Sequence, residues 1–138
     1  MNTPAKDVAL KLASALSFTI NTDLFVHSQP DDVANCVTVK TGVGLGDDRY
    51  QDASANPTQK PGIQILIRNI DPEEGYAQCE SIKEALREWN NVSFDSGGTS
   101  VRQGRMIQQG DILSLGKQPN SRWYEWSMNF IQIRETIA

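Results

Sequence analysis

Few side chains in this sequence have the type and spacing that acid–base or nucleophilic chemistry requires. The chain has one histidine, His27, so any Ser–His–Asp or Cys–His arrangement would depend on it. It precedes the turn sequence 28–30, and we interpret it as a surface or lightly packed side chain. The two cysteines, Cys36 and Cys79, form neither a CxxC motif nor a metal knuckle. They are typical of small buried hydrophobes in a reducing cytosol. We therefore predict no catalytic residue and no enzymatic activity.

Glycines and acidic residues in the middle of the chain only superficially resemble ligand-binding motifs. The evenly spaced glycines are Gly42, Gly44 and Gly46. They do not open a helix, and no Gly-Lys-Ser/Thr follows, so they do not form a nucleotide loop. The acidic residues are Asp47, Asp48 and Asp52. Oxygen ligands could bind a divalent cation, but the glycine and terminal glutamate of a calcium loop are missing. The sequence predicts a solvated acidic loop, with no metal and no cofactor.

Composition argues against nucleic acid and membrane as partners. The formal net charge is -4 and no basic run is present, so a phosphate backbone would find little attraction. No stretch approaches the roughly 20 apolar residues of a membrane span, and residues 1–7 do not begin a secretory signal. The aromatic residues Trp89, Trp123, Tyr124 and Trp126 are more typical of a core or a subunit interface than of a base-stacking surface.

Local patterns predict a single domain over residues 1–138 with two helices and several strands. Thr3-Pro4 and Asp71-Pro72 are helix starts, each followed by an apolar stripe, and they predict helices at about 4–17 and 72–89. The glutamates 73, 74, 80 and 84 complement the helix start or form a solvated helix face, so no catalytic carboxylate pair is needed. Strands are predicted at 25–26, 36–39, 62–68, 92–94, 107–115 (interrupted near Gly110) and 122–135.

Two loops separate these elements. Residues 41–61 combine glycines, prolines and acids with little apolar periodicity, and a connection of that length is usually functional or disordered until bound. We predict a long flexible loop there and a second one at 95–100. Partner-facing residues are expected within the two loops and just after the second: Gly44, Asp47, Asp48, Arg49, Tyr50, Gly97 and Arg102.

The order of elements predicts an α+β fold, with a mostly antiparallel sheet and two helices packed on one face. The last strand carries apolar residues on both faces. Trp126 and Phe130 share one face, while Trp123, Ile131 and Ile133 point to the other, which suggests a β-bulge or a covered second face. A domain this small has no third layer. We therefore predict that Trp123, Ile131 and Ile133 contact a neighbouring subunit.

Three stretches of the sequence resemble the tail terminator (minor capsid) proteins of long-tailed bacteriophages. They are residues 35–39, residues 61–68 continuing through 71–76 to Leu86, and residues 111–116 together with 123–130. The resemblance implies a phage tail-terminator-like α+β subunit, with no catalytic residues, that forms a homo-hexameric ring in the tail or neck of the virion. Such a ring caps the tail tube, ends tube polymerisation and joins the tail to the head connector. Its implied partners are itself, the tail tube protein and the head–tail connector protein, assembled in the host cytoplasm.

Two alternatives stay open. The first is another phage neck or head–tail joining protein of related fold, which would differ mainly in its position in the particle. The second is a small ligand-binding or enzymatic α+β domain, which predicts a pocket containing His27 or the acidic loop.

Overall fold

The structure, a computed structural model, describes residues 1–45, 58–117 and 119–137. In these residues two helices and seven strands follow one another along the chain. They are α1 (Pro4–Leu16), β1 (Leu24–Val26), β2 (Cys36–Leu45), β3 (Lys60–Asn69), α2 (Pro72–Arg87), β4 (Val92–Ser96), β5 (Thr99–Gln108), β6 (Leu113–Lys117) and β7 (Tyr124–Thr136).

Both helices begin where the sequence predicts. The Thr3 side chain accepts a hydrogen bond from the backbone N–H of Lys6 at 3.3 Å and caps α1. The Asp71 carboxylate accepts from the backbone N–H of Glu73 at 3.0 Å and caps α2. The predicted helices at about 4–17 and 72–89 are confirmed to within two residues at each end. Neither helix is long and apolar enough to cross a membrane.

The described strands form one sheet in the order β1-β2-β3-β7-β5-β4, and β6 pairs with the first part of β7. Every pairing is antiparallel except that of β1 with β2, which is parallel. The predicted α+β class and mostly antiparallel sheet are therefore confirmed. The strand predicted at 107–115 is in fact two strands, β5 and β6, and β5 begins earlier, at Thr99.

The long strand β7 lies at the centre of the sheet. Of the two explanations predicted for its apolar residues on both faces, a bulge in β7 or a covered second face, the bulge in β7 is wrong. β7 pairs with β3 from Tyr124 to Ile131 without a register shift. The irregularities lie in its other neighbours, between Gln103 and Arg105 in β5 and in the 114–116 part of β6. Each neighbour carries one extra residue, so β7 itself alternates regularly between two faces.

Alternation along β3 and β7 defines an inner and an outer sheet face. The inner sheet face carries Ile63, Ile65 and Ile67 of β3, opposite Phe130, Met128 and Trp126 of β7. These residues form one buried cluster with side chains of both helices, including Leu12 of α1 and Ile82 and Leu86 of α2. The outer sheet face carries Gln64, Leu66, Asn129, Ile131 and Ile133.

Both predicted loops are shorter than expected where the structure describes them. β2 continues to Leu45 and β3 begins at Lys60, so both ends of the predicted 41–61 loop belong to strands, while residues 46–57 lie outside the described residues. The 95–100 loop is a two-residue turn between β4 and β5. Gly97 and Gly98 have φ values of 57° and 92°, the positive φ pair that such a hairpin turn requires.

Candidate functional site

Ile131 and Ile133 both lie on the outer sheet face, but only Ile133 keeps substantial accessible surface. Ile131 is 5% exposed, and it pairs with Gly62 of β3 and Ile107 of β5 in the same cross-strand row. Ile133 is half-buried and borders a cleft of about 210 Å³. Its side chain packs near Gly104, the extra residue of β5. As a subunit contact, Ile133 therefore offers more surface than Ile131.

Trp123, the third predicted contact, is half-buried against its own chain. The guanidinium carbon of Arg68 lies 4.6 Å from the centre of the Trp123 ring. The Trp123 indole donates a hydrogen bond to Glu125 Oε1 at 3.0 Å, and Arg68 Nε donates to the same oxygen at 3.2 Å. Arg68 also donates to the carbonyl of Pro30. This cation–π and ion-pair cluster explains much of the burial of Trp123 within one subunit.

The distal part of β2, residues 40–45, presents apolar side chains on a free strand edge. We call this segment the β2 edge. β1 pairs only with Val37–Val39, so in the described chain the β2 edge has β3 as its only neighbour. Val43 is 96% exposed and Leu45 is 59% exposed. Among the predicted partner-facing residues, Gly44 lies here, whereas Asp47, Asp48, Arg49 and Tyr50 lie outside the described residues.

The backbone geometry at Gly44 accounts for a glycine there without invoking a partner. The register between β2 and β3 shifts between Gly42 and Leu45. At this shift a Cβ on Gly44 would overlap the backbone of Lys60 and Gly62. Glycine therefore permits the close approach of the two strands.

The remaining predicted loop residues lie at the β4–β5 hairpin. A Cβ on Gly97 would lie 2.8 Å from the Asn2 side-chain oxygen, so the turn packs against the start of the chain. The Arg102 side chain is exposed and lies 4.0 Å from Glu135. This exposed pair is weak, which leaves Arg102 accessible.

A second free edge lies at the opposite end of the sheet, where β4 pairs with β5 alone in the described chain. Beside β4 is a groove of about 440 Å³, which we call the β4 groove. Its apolar lining comes from Leu10, Trp89, Val92 and Phe94. The rings of Trp89 and Phe94 pack 5.3 Å apart, centre to centre, and Leu10 and Val92 are about two-fifths exposed (42% and 40%).

The side chains considered for catalysis do not converge. His27 is exposed, and its Nε2 lies 3.2 Å from the Thr3 hydroxyl at the start of α1. Cys36 and Cys79 are free and buried, and burial raises the pKa of both thiols, that of Cys79 to about 12. Within the described residues no three histidine, cysteine or acidic side chains are grouped as metal ligands. On α2, an ion pair with Arg87 lowers the pKa of the exposed Glu84.

A buried polar network at the end of β7 was not anticipated from the sequence. Arg134 Nη1 donates to Asp7 Oδ2 at 3.0 Å, and the two side chains are 4% and 1% exposed. The Ser96 hydroxyl donates to the same carboxylate oxygen at 2.7 Å, and Arg134 Nε donates to Gln59 Oε1 at 3.1 Å. Burial lowers the pKa of Arg134, while the charge and hydrogen bond of Asp7 oppose that shift. The network joins α1, β4 and β7 to the residue just before β3.

Arg134 alternates with Ile133 and Glu135, which places it on the inner face of β7 together with Gln132. That alternation, and an aspartate in the buried stripe of α1, were the available sequence signals. They do not identify each other, because the two residues are 127 positions apart.

In the described chain, exposed apolar side chains thus lie at the β2 edge and beside the β4 groove. The sequence has no significant match among curated proteins. In a solved structure titled "Virion of native gene transfer agent (GTA) particle", one chain shares the fold with a TM-score of 0.55 at 12% sequence identity. The similarity covers 97% of this chain and 99% of that chain.

A family model described as "Bacteriophage tail terminator protein" matches residues 11–136, which is nearly all of the sequence. The match includes α2, the seven described strands and the second half of α1, from residue 11 to Leu16. The chain therefore belongs to the bacteriophage tail terminator protein family and is a structural protein of a phage tail.

Proposed function

We propose that this chain forms a homo-hexameric ring that caps the tail tube, ends its polymerisation and provides the surface joining the tail to the head connector. The observation that carries the proposal is the family match over residues 11–136. Its partners are then further copies of itself, the tail tube protein and the head–tail connector protein. The protein would be located at the head-proximal end of the tail, in the neck of the virion.

The architecture supports this role because the subunit has surfaces suited to repeated contacts. Both helices share one cluster with the inner sheet face, and we infer that both cover that face and leave the outer sheet face for other contacts. On the outer face, we propose that the accessible parts of Ile133 and Trp123 add to the contact between subunits. A ring requires contacts between two different surfaces of each copy, which close under rotation.

Two measurements test this function. Light scattering of the purified chain across concentration is expected to show a closed oligomer of six copies. Tail tube protein polymerising in the presence of the chain is expected to give shorter tubes capped at one end. A chain that stays monomeric at high concentration and leaves tube length unchanged contradicts the proposal.

Labelling the protein in intact particles separates the terminator from another neck protein of related fold. Label at the junction between tail tube and connector supports tail termination. Label restricted to the head side of the neck supports the alternative joining role.

A further inference from the structure

We infer that neighbouring copies join edge to edge, with the β2 edge of one copy seated against β4 and the β4 groove of the next. The inference rests on the proposed ring and specifies which surfaces form it. It concerns Val43 and Leu45 on one side, and Leu10, Trp89, Val92 and Phe94 on the other.

The β2 edge and β4 are two of the free strand edges of the described sheet; β1 and β6 are edge strands as well. The strand order β1-β2-β3-β7-β5-β4 places the β2 edge and β4 on opposite sides of one sheet. In the described chain, each lacks a neighbouring strand on its outer side. Unpaired edges recruit further strands unless they are blocked, and no proline or charged side chain interrupts Thr41–Leu45. A contact between two different edges is heterologous, the type from which rings are built.

The β2 edge and the β4 side of the sheet have complementary shapes. The β2 edge carries two protruding apolar side chains, Val43 and Leu45, which are 96% and 59% exposed. The β4 side has a concave apolar surface, the β4 groove of about 440 Å³. A protruding apolar pair at one end of the sheet and an apolar groove at the other complement each other only between two copies.

The charged side chains near the two surfaces are mostly of opposite sign. Lys40 and Lys60 flank the apolar side chains of the β2 edge, with Lys60 directly opposite Leu45 in the ladder. Glu88 and Asp95 line the β4 groove, together with Lys11 on its α1 side. Opposite charges around an apolar centre favour one relative orientation and speed up association.

The directions of β2 and β4 predict how the two edges pair between copies. Four antiparallel pairings connect β2 to β4 through β3, β7 and β5, so β2 and β4 run in the same direction. Copies related by rotation about an axis roughly along the strands would therefore pair these edges in parallel.

Two single substitutions test the contact. Val43→Asp changes the β2 edge and Leu10→Glu changes the β4 groove, and both side chains are exposed enough that the monomer should still fold. Ile70→Lys, at a 48% exposed position between β3 and α2, is the matched control. We expect each edge variant to weaken self-association by about a hundredfold and the control to form rings like the wild type. Circular dichroism spectra should be unchanged in all three, which would show that the fold is intact.

Mixing the two edge variants distinguishes a heterologous contact from any other. The Leu10→Glu copy keeps an intact β2 edge, and the Val43→Asp copy keeps an intact β4 groove. We therefore expect the mixture to form 1:1 dimers that do not grow, as measured by native mass spectrometry. In wild-type rings, backbone amides of 40–45 and 92–95 should exchange hydrogen about tenfold or more slowly than in the Val43→Asp monomer.

The outcomes separate this inference from the proposed function. The edge contact alone is overturned if both edge variants form rings as stable as those of the wild type. It is also overturned if the mixture of the two variants stays monomeric while the Ile70→Lys control forms rings. A wild-type chain that remains monomeric at all concentrations contradicts the ring itself, and the edge contact with it.

Discussion

Removing one partner of the Asp7–Arg134 pair should destabilise the fold far more than removing both. The side chains are 1% and 4% exposed, and the Asp7 carboxylate also accepts from Ser96. Asp7→Ala leaves a buried guanidinium with the Gln59 side chain as its remaining partner among these contacts. The loss of an ion-pair partner at such a site costs about 3–5 kcal/mol. Because a domain has only about 5–15 kcal/mol of stability in total, Asp7→Ala should lower the melting temperature by about 10–15 °C.

The assay is urea unfolding followed by tryptophan fluorescence, for Asp7→Ala, Arg134→Met and the double variant Asp7→Leu/Arg134→Met. The double variant replaces both charges with apolar side chains, and we expect it to lie within about 1–2 kcal/mol of the wild type. Glu84→Ala, which breaks an exposed pair with Arg87, is the control and should leave stability unchanged. Single variants that lose less than about 1 kcal/mol, or a double variant whose loss equals the sum of the singles, would refute the buried-pair reasoning.

Three further predictions concern packing and assembly. Gly75→Ala should cost about 1–3 kcal/mol in urea unfolding, because a Cβ there would overlap the buried Trp126 ring, and an unchanged midpoint would contradict this contact. Burial raises the pKa of Cys79 to about 12, so its thiol favours the folded state below the unfolded pKa of about 8.5 and loses that advantage as pH rises towards 12. The stability difference between wild type and Cys79→Ala should therefore shrink between pH 8 and pH 10, whereas a constant difference would argue against a protonated buried thiol. Ile131→Asp should unfold the monomer, whereas Ile133→Asp should leave it folded and reduce the oligomer mass measured by light scattering. A folded Ile131→Asp monomer, or an Ile133→Asp variant that assembles like the wild type, would contradict these assignments.

Elements specified by local signals were predicted well from the sequence. Thr3-Pro4 and Asp71-Pro72 set the starts of the two helices, because capping and proline placement depend only on neighbouring residues. The alternation of Trp126, Met128 and Phe130 likewise identified β7. These features need no knowledge of the rest of the chain.

Errors arose where glycine has two physical uses. Gly42 and Gly44 favoured a loop, yet they lie in β2, where the missing side chain allows β3 to approach closely. Gly97-Gly98 suggested a flexible loop, although two adjacent glycines between strand-forming residues also fit a tight hairpin turn. Composition alone does not distinguish these cases, because the deciding factor is the strand that pairs alongside.

The sequence predicts assembly through apolar residues on the outer sheet face, whereas the structure favours assembly through the strand edges. Trp123 already stacks on Arg68, and Ile131 is only 5% exposed, so two of the three proposed contacts are largely satisfied within one subunit. Val43 and Leu45 are much more exposed, and they lie beside backbone groups that have no outer neighbour in the described chain. An unpaired edge supplies backbone hydrogen bonds as well as apolar area. These directional hydrogen bonds fix the relative orientation of two copies, whereas an apolar face alone does not. We therefore expect substitutions at Val43 to impair assembly more than substitutions at Trp123, a ranking that light scattering of the two variants would check.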